Sequence, residues 1–566
     1  MDDSTLRGGS ERGDPRRIVV IGFGPVGARF VDELVPALEA GLVEVTVVGA
    51  EEGDPYNRVL VAEYAVGHTS LGAMSLGGST AAVAAGARII TGATVTAISR
   101  SRRVVTVVRG DHSEGLHYDR LIFATGARAN VPTLDGIVRV RRDHLAPSPE
   151  PATLDSPGGA LPVGVTTLRD LADAERVLDA VRGARRIVVL GAGVLGMEIA
   201  LAASSVGAQV CVVYHGGIPM ARSLDRGSGT VLARAARRAG VTMVDHTRAE
   251  SIVLRLDDDG TERFDALVCA DGKQISGDLL LLSCGVGARV ELARLAGLDV
   301  AAGILVDDGL TSWADSRICA IGDCAQIAPR PALGDSTAPP VGAPSGLIGP
   351  GWRQAEWLAA RIMAELSDGV VVPAMARERP ALVVVKAEGI DVVAAGDLSA
   401  DPWDAESAHT DTGGDRPRHT DAGRHDDSCR LAATQVAEWA DPEHGRYVKM
   451  VTRDGVLEAF VSVGMPRTGA ELTLLYERGS ELPADRSVLL RYDGPDYEPS
   501  FGGDGFALES TVCWCNGVTV ESVVDAATSG DRTVACVSAA TRAGTGCGGC
   551  RGRIADVIEW AGAIGS

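Results

Sequence analysis

The sequence lacks a basic excess. Its 54 lysines and arginines stand against 75 aspartates and glutamates, leaving a formal net charge of −21. Nucleic-acid binding needs a basic footprint for the phosphates, so nucleic acid is excluded as a partner. Acidity of this size suits solubility and docking to a basic partner surface. The sequence also lacks any run of 18 to 20 apolar residues, so no membrane span is expected. Its opening stretch, MDDSTLRGGSERGDPRR, has no apolar signal core. A cytoplasmic protein with no membrane partner is the expectation. Cysteine is missing before Cys211, although the chain holds 11 in all. A length of 566 residues allows roughly two to five domains, each able to bury a core.

What is present concentrates at the far end. Cys513 and Cys515 form one close pair, and after 31 residues Cys547 and Cys550 form another. Inside a cell, four thiolates so spaced read as a metal site before they read as disulfides. Zinc and an iron–sulfur cluster both accept four sulfurs. Asn516-Gly517-Val518 after the first pair and Ala543-Gly544-Thr545-Gly546 before the second let backbone amides approach the sulfurs, which favours the cluster. The stretch TVCWCNGVTVESVVDAA…ATRAGTGCGGCRGRI resembles the bacterioferritin-associated-ferredoxin-type domain. That resemblance implies a helical 2Fe–2S domain ligated by Cys513, Cys515, Cys547 and Cys550. Cys536, between the pairs, reads as a core residue, as do Cys211, Cys269, Cys284 and Cys319 in apolar runs.

The N-terminal half carries a repeated pattern. The apolar run Arg17–Ile21 reads as a buried parallel strand leading into Gly22, Gly24 and Gly27 and then a helical pattern, ARFVDELVPALEA. Glycines at these spacings allow a tight turn, an approaching pyrophosphate and a helix packed on the strand. The unpaired amides of the helix then face the phosphates. A second strand, Val43–Val48, leads to Glu51, whose carboxylate can accept ribose hydroxyls; Glu52 is the fallback. The pattern recurs as Arg186–Leu190, then Gly191, Gly193 and Gly196, a helix and a strand at Gln209–Tyr214. That second strand ends in Val213-Tyr214-His215-Gly216, without the acid of an NADH site or an immediate arginine for a 2′-phosphate.

Two further signals order the sites. Thr125 and Gly126 follow a strand in an A-T-G turn, and Asp323 follows another in Gly-Asp. These resemble signatures of the two-dinucleotide flavoproteins related to disulfide reductases. The resemblance implies FAD at the first site, Asp323 on the ribityl chain, and NAD(P)H at the second, NADH being the commoner choice. It also implies Glu198 near the nicotinamide–flavin contact. The disulfide reductases of that superfamily carry a thiol pair against the flavin. Cys319 and Cys324 have the spacing, but five near-extended residues separate them by up to about 16 Å, too far for a bridge. The electron exit is then the cluster.

PYNRVL from Pro55, which includes Arg58, MARSLD from Met220, and VVVKAEGIDVVAAGDL from Val383 resemble the NAD(P)H-dependent assimilatory nitrite reductase large-subunit family. Arg58 is counted with the cofactor-binding residues on this basis. With the cluster domain included, the order also resembles electron-transfer subunits of assimilatory nitrate reductases. The resemblance implies electron delivery to a nitrate reductase catalytic subunit. A nitrite reductase, ferredoxin or rubredoxin acceptor is the alternative, and an iron–sulfur regulatory module is the alternative of another class. The sequence ends sixteen residues after Cys550 with no further cysteine pairs, so siroheme chemistry is not expected of it.

The expected fold is α/β, with two Rossmann-like domains, a small α+β domain and a helical 2Fe–2S domain. The expected boundaries are 17–136 with 277–366 for FAD, 164–276 for NAD(P)H, 372–490 for the α+β domain and 511–566 for the cluster. Residues 148–162 read as a proline- and glycine-rich connection, 400–430 as a disordered insertion and 491–505 as a tether.

Overall fold

The computed structural model describes residues 14–76, 79–137, 161–330, 340–366, 372–375, 382–387, 390–401, 434–494, 508, 511–513, 516, 518–545 and 550–564. Most of the 148–162 connection, residues 402–430 of the expected insertion, and residues 495–505 of the expected tether lie outside them.

Two parallel sheets dominate, and each grows from an apolar run. Arg16–Ile21 lies at the centre of the first, between Val43–Val48 and Arg120–Phe123, with Val20 level with Val47 on one side and Ile122 on the other. Arg88–Ile90 and Ile318–Ala320 form its edges. Ile18 to Ile21 are all buried, as a strand covered on both faces requires. The second sheet repeats the plan, with Arg186–Leu190 between Gln209–Val213 and Leu279–Leu282, and Thr242–Val244 and Val165–Thr166 at its edges. A three-stranded antiparallel sheet accompanies each. Ala127–Ala129 pairs antiparallel with Val286–Ala288 where the chain leaves the first fold and returns to it.

The helical pattern after the first glycine loop is two helices, Pro25–Glu33 and Val35–Glu39, rather than one. Pro36 has no N–H to give and cannot continue the first helix, so it sits in the opening turn of the second. The joint at Leu34 is fully buried. The long helix Ile348–Leu366 packs on Pro25–Glu33, with Trp352 Nε1 donating to Pro25 O at 3.1 Å.

The third unit is a five-stranded antiparallel sheet, in the order Val383–Ala387, Ile390–Ala395, Val456–Val463, Arg446–Arg453, Thr434–Asp441. Helix Pro466–Arg478 lies on it, with the Tyr476 and Phe460 rings edge to face at 5.7 Å. The expected tether begins later than 491. Arg491–Asp493 is a 3₁₀ turn, and the Asp493 carboxylate accepts the Arg467 and Thr468 N–H groups at 3.2 and 2.8 Å. Those amides open helix Pro466–Arg478 and have no partner within it, so an acid placed there is drawn into the fold.

The C-terminal unit has a short strand pair, Thr511–Cys513 and Val518–Thr519, and helices Val520–Thr528, Val534–Thr541 and Arg551–Ile564 around Val512, Val523, Val537, Ile554 and Val557. Among the described residues no helix is long and apolar enough to cross a membrane.

Candidate cofactor sites

The first glycine loop separates what the chain needs for itself from what it leaves open. Gly22 has φ +109°, and a Cβ there would lie 2.2 Å from Ala124 O. A Cβ on Gly27 would lie 2.2 Å from Gly22 O. Only glycine permits the strand, turn and helix to close so tightly. Gly24 is different. It caps helix Pro25–Glu33, and its Cβ would meet only Arg58 Nε, at 3.8 Å. The space a side chain would fill lies at the helix start, where free amides and the helix dipole favour an anion.

Charged groups frame that space. Glu51 accepts the Tyr56 hydroxyl at 2.9 Å and pairs with Arg58, whose guanidinium lies 5.1 Å from the Tyr56 ring centre. Burial pushes the Tyr56 phenol above its ordinary range. Arg58 Nη1 donates to Arg169 O at 3.2 Å, and Arg169 in turn pairs with Asp323 at 2.8 Å and donates to Ala127 O at 3.1 Å. Gly126 lies at φ +67° and accepts Arg289 N–H at 2.9 Å, while Thr125 Oγ1 donates to Arg289 O at 3.1 Å. Gln354 Oε1 holds Gly322 N–H at 2.8 Å beside Asp323. An open glycine and two arginine-held carboxylates suit a dinucleotide, which brings phosphates and hydroxyls together. Arg169 was missed in the sequence. It stands in T-T-L-R-D, where no motif marks it, and only the tertiary fold brings it to Asp323.

The second loop repeats the geometry. Gly191, at φ +113°, has Ser283 O where a Cβ would come within 2.2 Å, and a Cβ on Gly196 would come within 2.1 Å of Gly191 O. Gly193 has nothing within 4 Å. Met220 N–H donates to Ala192 O at 2.7 Å, tying the MARSLD run to the loop. Tyr214 is buried with its hydroxyl unbonded among the described residues, and His215 is exposed. Glu198 is half-buried on helix Val194–Ser205.

Cysteine chemistry beside the first site is absent among the described residues. Cys319 and Cys324 are buried and free. Burial pushes both thiols up, Cys319 to about 11, so neither is a ready nucleophile. Cys269 is buried, while Cys211 and Cys284 are half-buried.

At the C-terminal unit, Cys513 is 1% exposed. Its Sγ accepts Gly544 N–H at 3.4 Å and Asn516 Nδ2 at 3.7 Å. A hydrogen bond with Cys550 holds the Cys513 thiol below its usual range despite burial, and the Gly544 and Asn516 donors add to that. A buried sulfur that favours its thiolate and collects N–H donors fits a cluster ligand. Cys515 and Cys547 lie outside the described residues, and among those described no group of three metal-capable side chains occurs. Cys536 is a correction. It is exposed on helix Val534–Thr541, where the residue turned inward is its neighbour Val537.

Residues 16–338 match the pyridine nucleotide-disulphide oxidoreductase family, and residues 511–560 match the BFD-like [2Fe-2S] binding domain. The chain is 26% identical to the assimilatory nitrate reductase electron transfer subunit of Bacillus subtilis (strain 168), over 96% of this chain and 60% of that protein. It is 27% identical to the nitrite reductase (NADH) large subunit of Escherichia coli (strain K12), over 96% of this chain and 55% of that protein. The chain thus spans less than two thirds of the length of both. Among solved structures, the covalent putidaredoxin reductase–putidaredoxin complex superposes with a TM-score of 0.63 at 20% identity, covering 84% of this chain and 96% of that one. A NAD-dependent persulfide reductase from A. fulgidus gives 0.61 at 23% identity, covering 82% and 77%. These likenesses establish the flavoprotein fold. The family matches assign FAD, a nicotinamide dinucleotide and a 2Fe–2S cluster as cofactors.

Proposed function

Because this chain belongs to the pyridine nucleotide-disulphide oxidoreductase family, we propose that it oxidises NADH or NADPH and passes the electrons to a separate redox protein through FAD and a 2Fe–2S cluster. The first-choice acceptor is the catalytic subunit of an assimilatory nitrate reductase, the system to which the B. subtilis relative belongs. The E. coli relative favours a second reading, in which the acceptor is a nitrite-reducing centre. The observation that carries the function is the presence, in one chain, of two glycine loops open at their middle glycine and a buried, N–H-bonded cysteine. When bound, flavin takes a hydride from the nicotinamide and releases its electrons singly, which suits a one-electron cluster.

In this reading Gly22, Gly24 and Gly27 seat the FAD pyrophosphate, and Glu51 takes the ribose hydroxyls. Arg58 holds Glu51 in place, Thr125 and Gly126 shape the turn beside the flavin, and Asp323 takes the ribityl chain. Gly191, Gly193 and Gly196 seat the nicotinamide dinucleotide. Glu198 stands where nicotinamide and flavin meet, and Cys513, Cys515, Cys547 and Cys550 hold the cluster. The domains follow the same lines: 17–136 with 277–366, 164–276, 372–490 and 511–566.

Anaerobically purified protein should carry about one FAD and two irons per chain and reduce ferricyanide with NADH or NADPH. Alone it should consume neither nitrate nor nitrite. Deleting residues 511–566 should keep dye reduction and abolish transfer to a nitrate reductase catalytic subunit. Zinc in place of iron, or full-rate transfer by the truncated chain, refutes the proposal.

A further inference from the structure

The loop that reaches Cys513 has a second face. Arg542 closes helix Val534–Thr541 at φ +63°, and its carbonyl accepts Asn516 Nδ2 at 2.7 Å and Thr545 Oγ1 at 2.8 Å. With Gly544 N–H on Cys513 Sγ, residues 542–545 are tied to a ligand sulfur on their inner side. On the outer side Thr545 O accepts Asn57 Nδ2 at 2.7 Å, and Arg542 pairs with Glu33 at 3.2 Å.

Both contacts land on elements that frame the first glycine loop. Asn57 is 1% exposed, and its orientation is fixed, since Oδ1 accepts Val59 N–H at 3.0 Å and its backbone N–H donates to Met74 O at 2.8 Å. The next residue, Arg58, lies over Gly24. Glu33 is the last residue of the helix that Gly24 caps, and it also pairs with Arg29 at 3.3 Å. Two hydrogen bonds and one loop therefore connect a ligand sulfur to the wall of the first dinucleotide site.

We infer that Asn57 and Glu33 form a docking seat for the 542–545 loop, positioning the C-terminal unit to receive electrons from the flavin site. The inference rests on the function proposed above. Each nicotinamide oxidised would give two electrons and leave one proton to solvent, and the electrons would cross this seat one at a time, the acceptor protein taking the first from the cluster before the second arrives. The ion pair is half-exposed, so it sets the fraction of time docked rather than the fold, and salt screens it.

The test uses the full chain loaded with FAD and iron, as wild type, Glu33→Arg, Arg542→Glu and the double exchange. After rapid mixing with NADH or NADPH, whichever reduces the wild-type flavin, flavin bleaching should keep the wild-type rate in all four. Cluster bleaching should slow about fivefold in each single variant and recover in the double exchange. Amide hydrogen exchange provides a readout independent of turnover: residues 542–545 and 57–60 should lose protection in the single variants and regain it in the exchange. Unchanged cluster bleaching together with unchanged protection in both single variants overturns the docking seat and leaves the proposed function standing. A wild-type flavin that neither NADH nor NADPH reduces overturns that function, and the seat with it.

Discussion

Replacing Asp225 with alanine should weaken the contact between the nicotinamide-side fold and the antiparallel sheet by about 3–5 kcal/mol. Asp225 caps helix Arg226–Arg238, accepting Ser228 N–H at 2.9 Å and Ser228 Oγ at 2.6 Å. Its other oxygen accepts the Tyr447 hydroxyl at 2.5 Å and faces Lys449 Nζ at 3.3 Å. Tyr447 is 1% and Lys449 5% exposed, so neither can turn to water. The lost cap costs about 1 kcal/mol, and the Tyr447 hydroxyl, left with Glu438 as its remaining side-chain partner, costs about 1 kcal/mol more. Lys449 Nζ also donates to Leu398 O at 2.8 Å, which solvates the ammonium without neutralising it. Asp225→Asn keeps the cap through its single amide oxygen but turns an N–H donor toward the Tyr447 hydroxyl and Lys449, so it should spare only the cap, about 1 kcal/mol of the loss. Adding Lys449→Met to Asp225→Asn should recover most of the loss.

Burial raises the Asp225 carboxyl, but hydrogen bonds from Ser228 and Tyr447 and the Lys449 charge outweigh it and hold the group below the usual range. A carboxyl depressed on folding stabilises fully above its unfolded value of about 3.9 and loses that contribution as pH falls through the folded value. The difference between wild type and Asp225→Asn should therefore be steady at neutral pH and vanish in strong acid. Native-state hydrogen exchange of Arg226–Arg238 and Arg446–Arg453 measures the opening free energy where the contact lies. A cost below about 1 kcal/mol for Asp225→Ala, or no recovery with Lys449→Met, would refute the reasoning.

The glycine loops predict opposite failures. Gly24→Val should purify with FAD largely missing, whereas Gly193→Val should keep FAD and raise KM for NAD(P)H by more than about tenfold, measured with ferricyanide; the reverse pattern would exchange the two sites. Asp323→Ala should weaken FAD binding about ten- to hundredfold, read from flavin fluorescence on dilution, because it removes a charged acceptor and leaves Arg169 unpaired. Cys513→Ser should remove iron and the cluster's visible absorption while leaving flavin content and dye reduction at the wild-type level.

The local sequence determined the glycine loops and their strands, because a buried parallel strand needs a continuous apolar run and a tight turn needs glycine at fixed spacing. The α/β class was legible for the same reason, whereas the cofactor set was implied by the resemblance of the glycine, A-T-G, Gly-Asp and cysteine motifs to known families. Cysteine spacing marked the cluster segment, but the inward or outward face of Cys536 depended on where helix Val534–Thr541 meets its neighbours, which a uniformly small, apolar stretch does not encode. Pro36 could have marked the split in the first helix, but the apolar pattern running across it concealed the break. What only the tertiary structure decided are contacts between distant segments: Arg169 on Asp323, Tyr447 and Lys449 on Asp225, and Asn57 and Glu33 on the 542–545 loop. A lone arginine or asparagine carries no period and no spacing, so its partner is set by packing across hundreds of residues. Periodic burial and turn geometry are local and can be read along the chain, whereas charge pairing is chosen by the assembled fold.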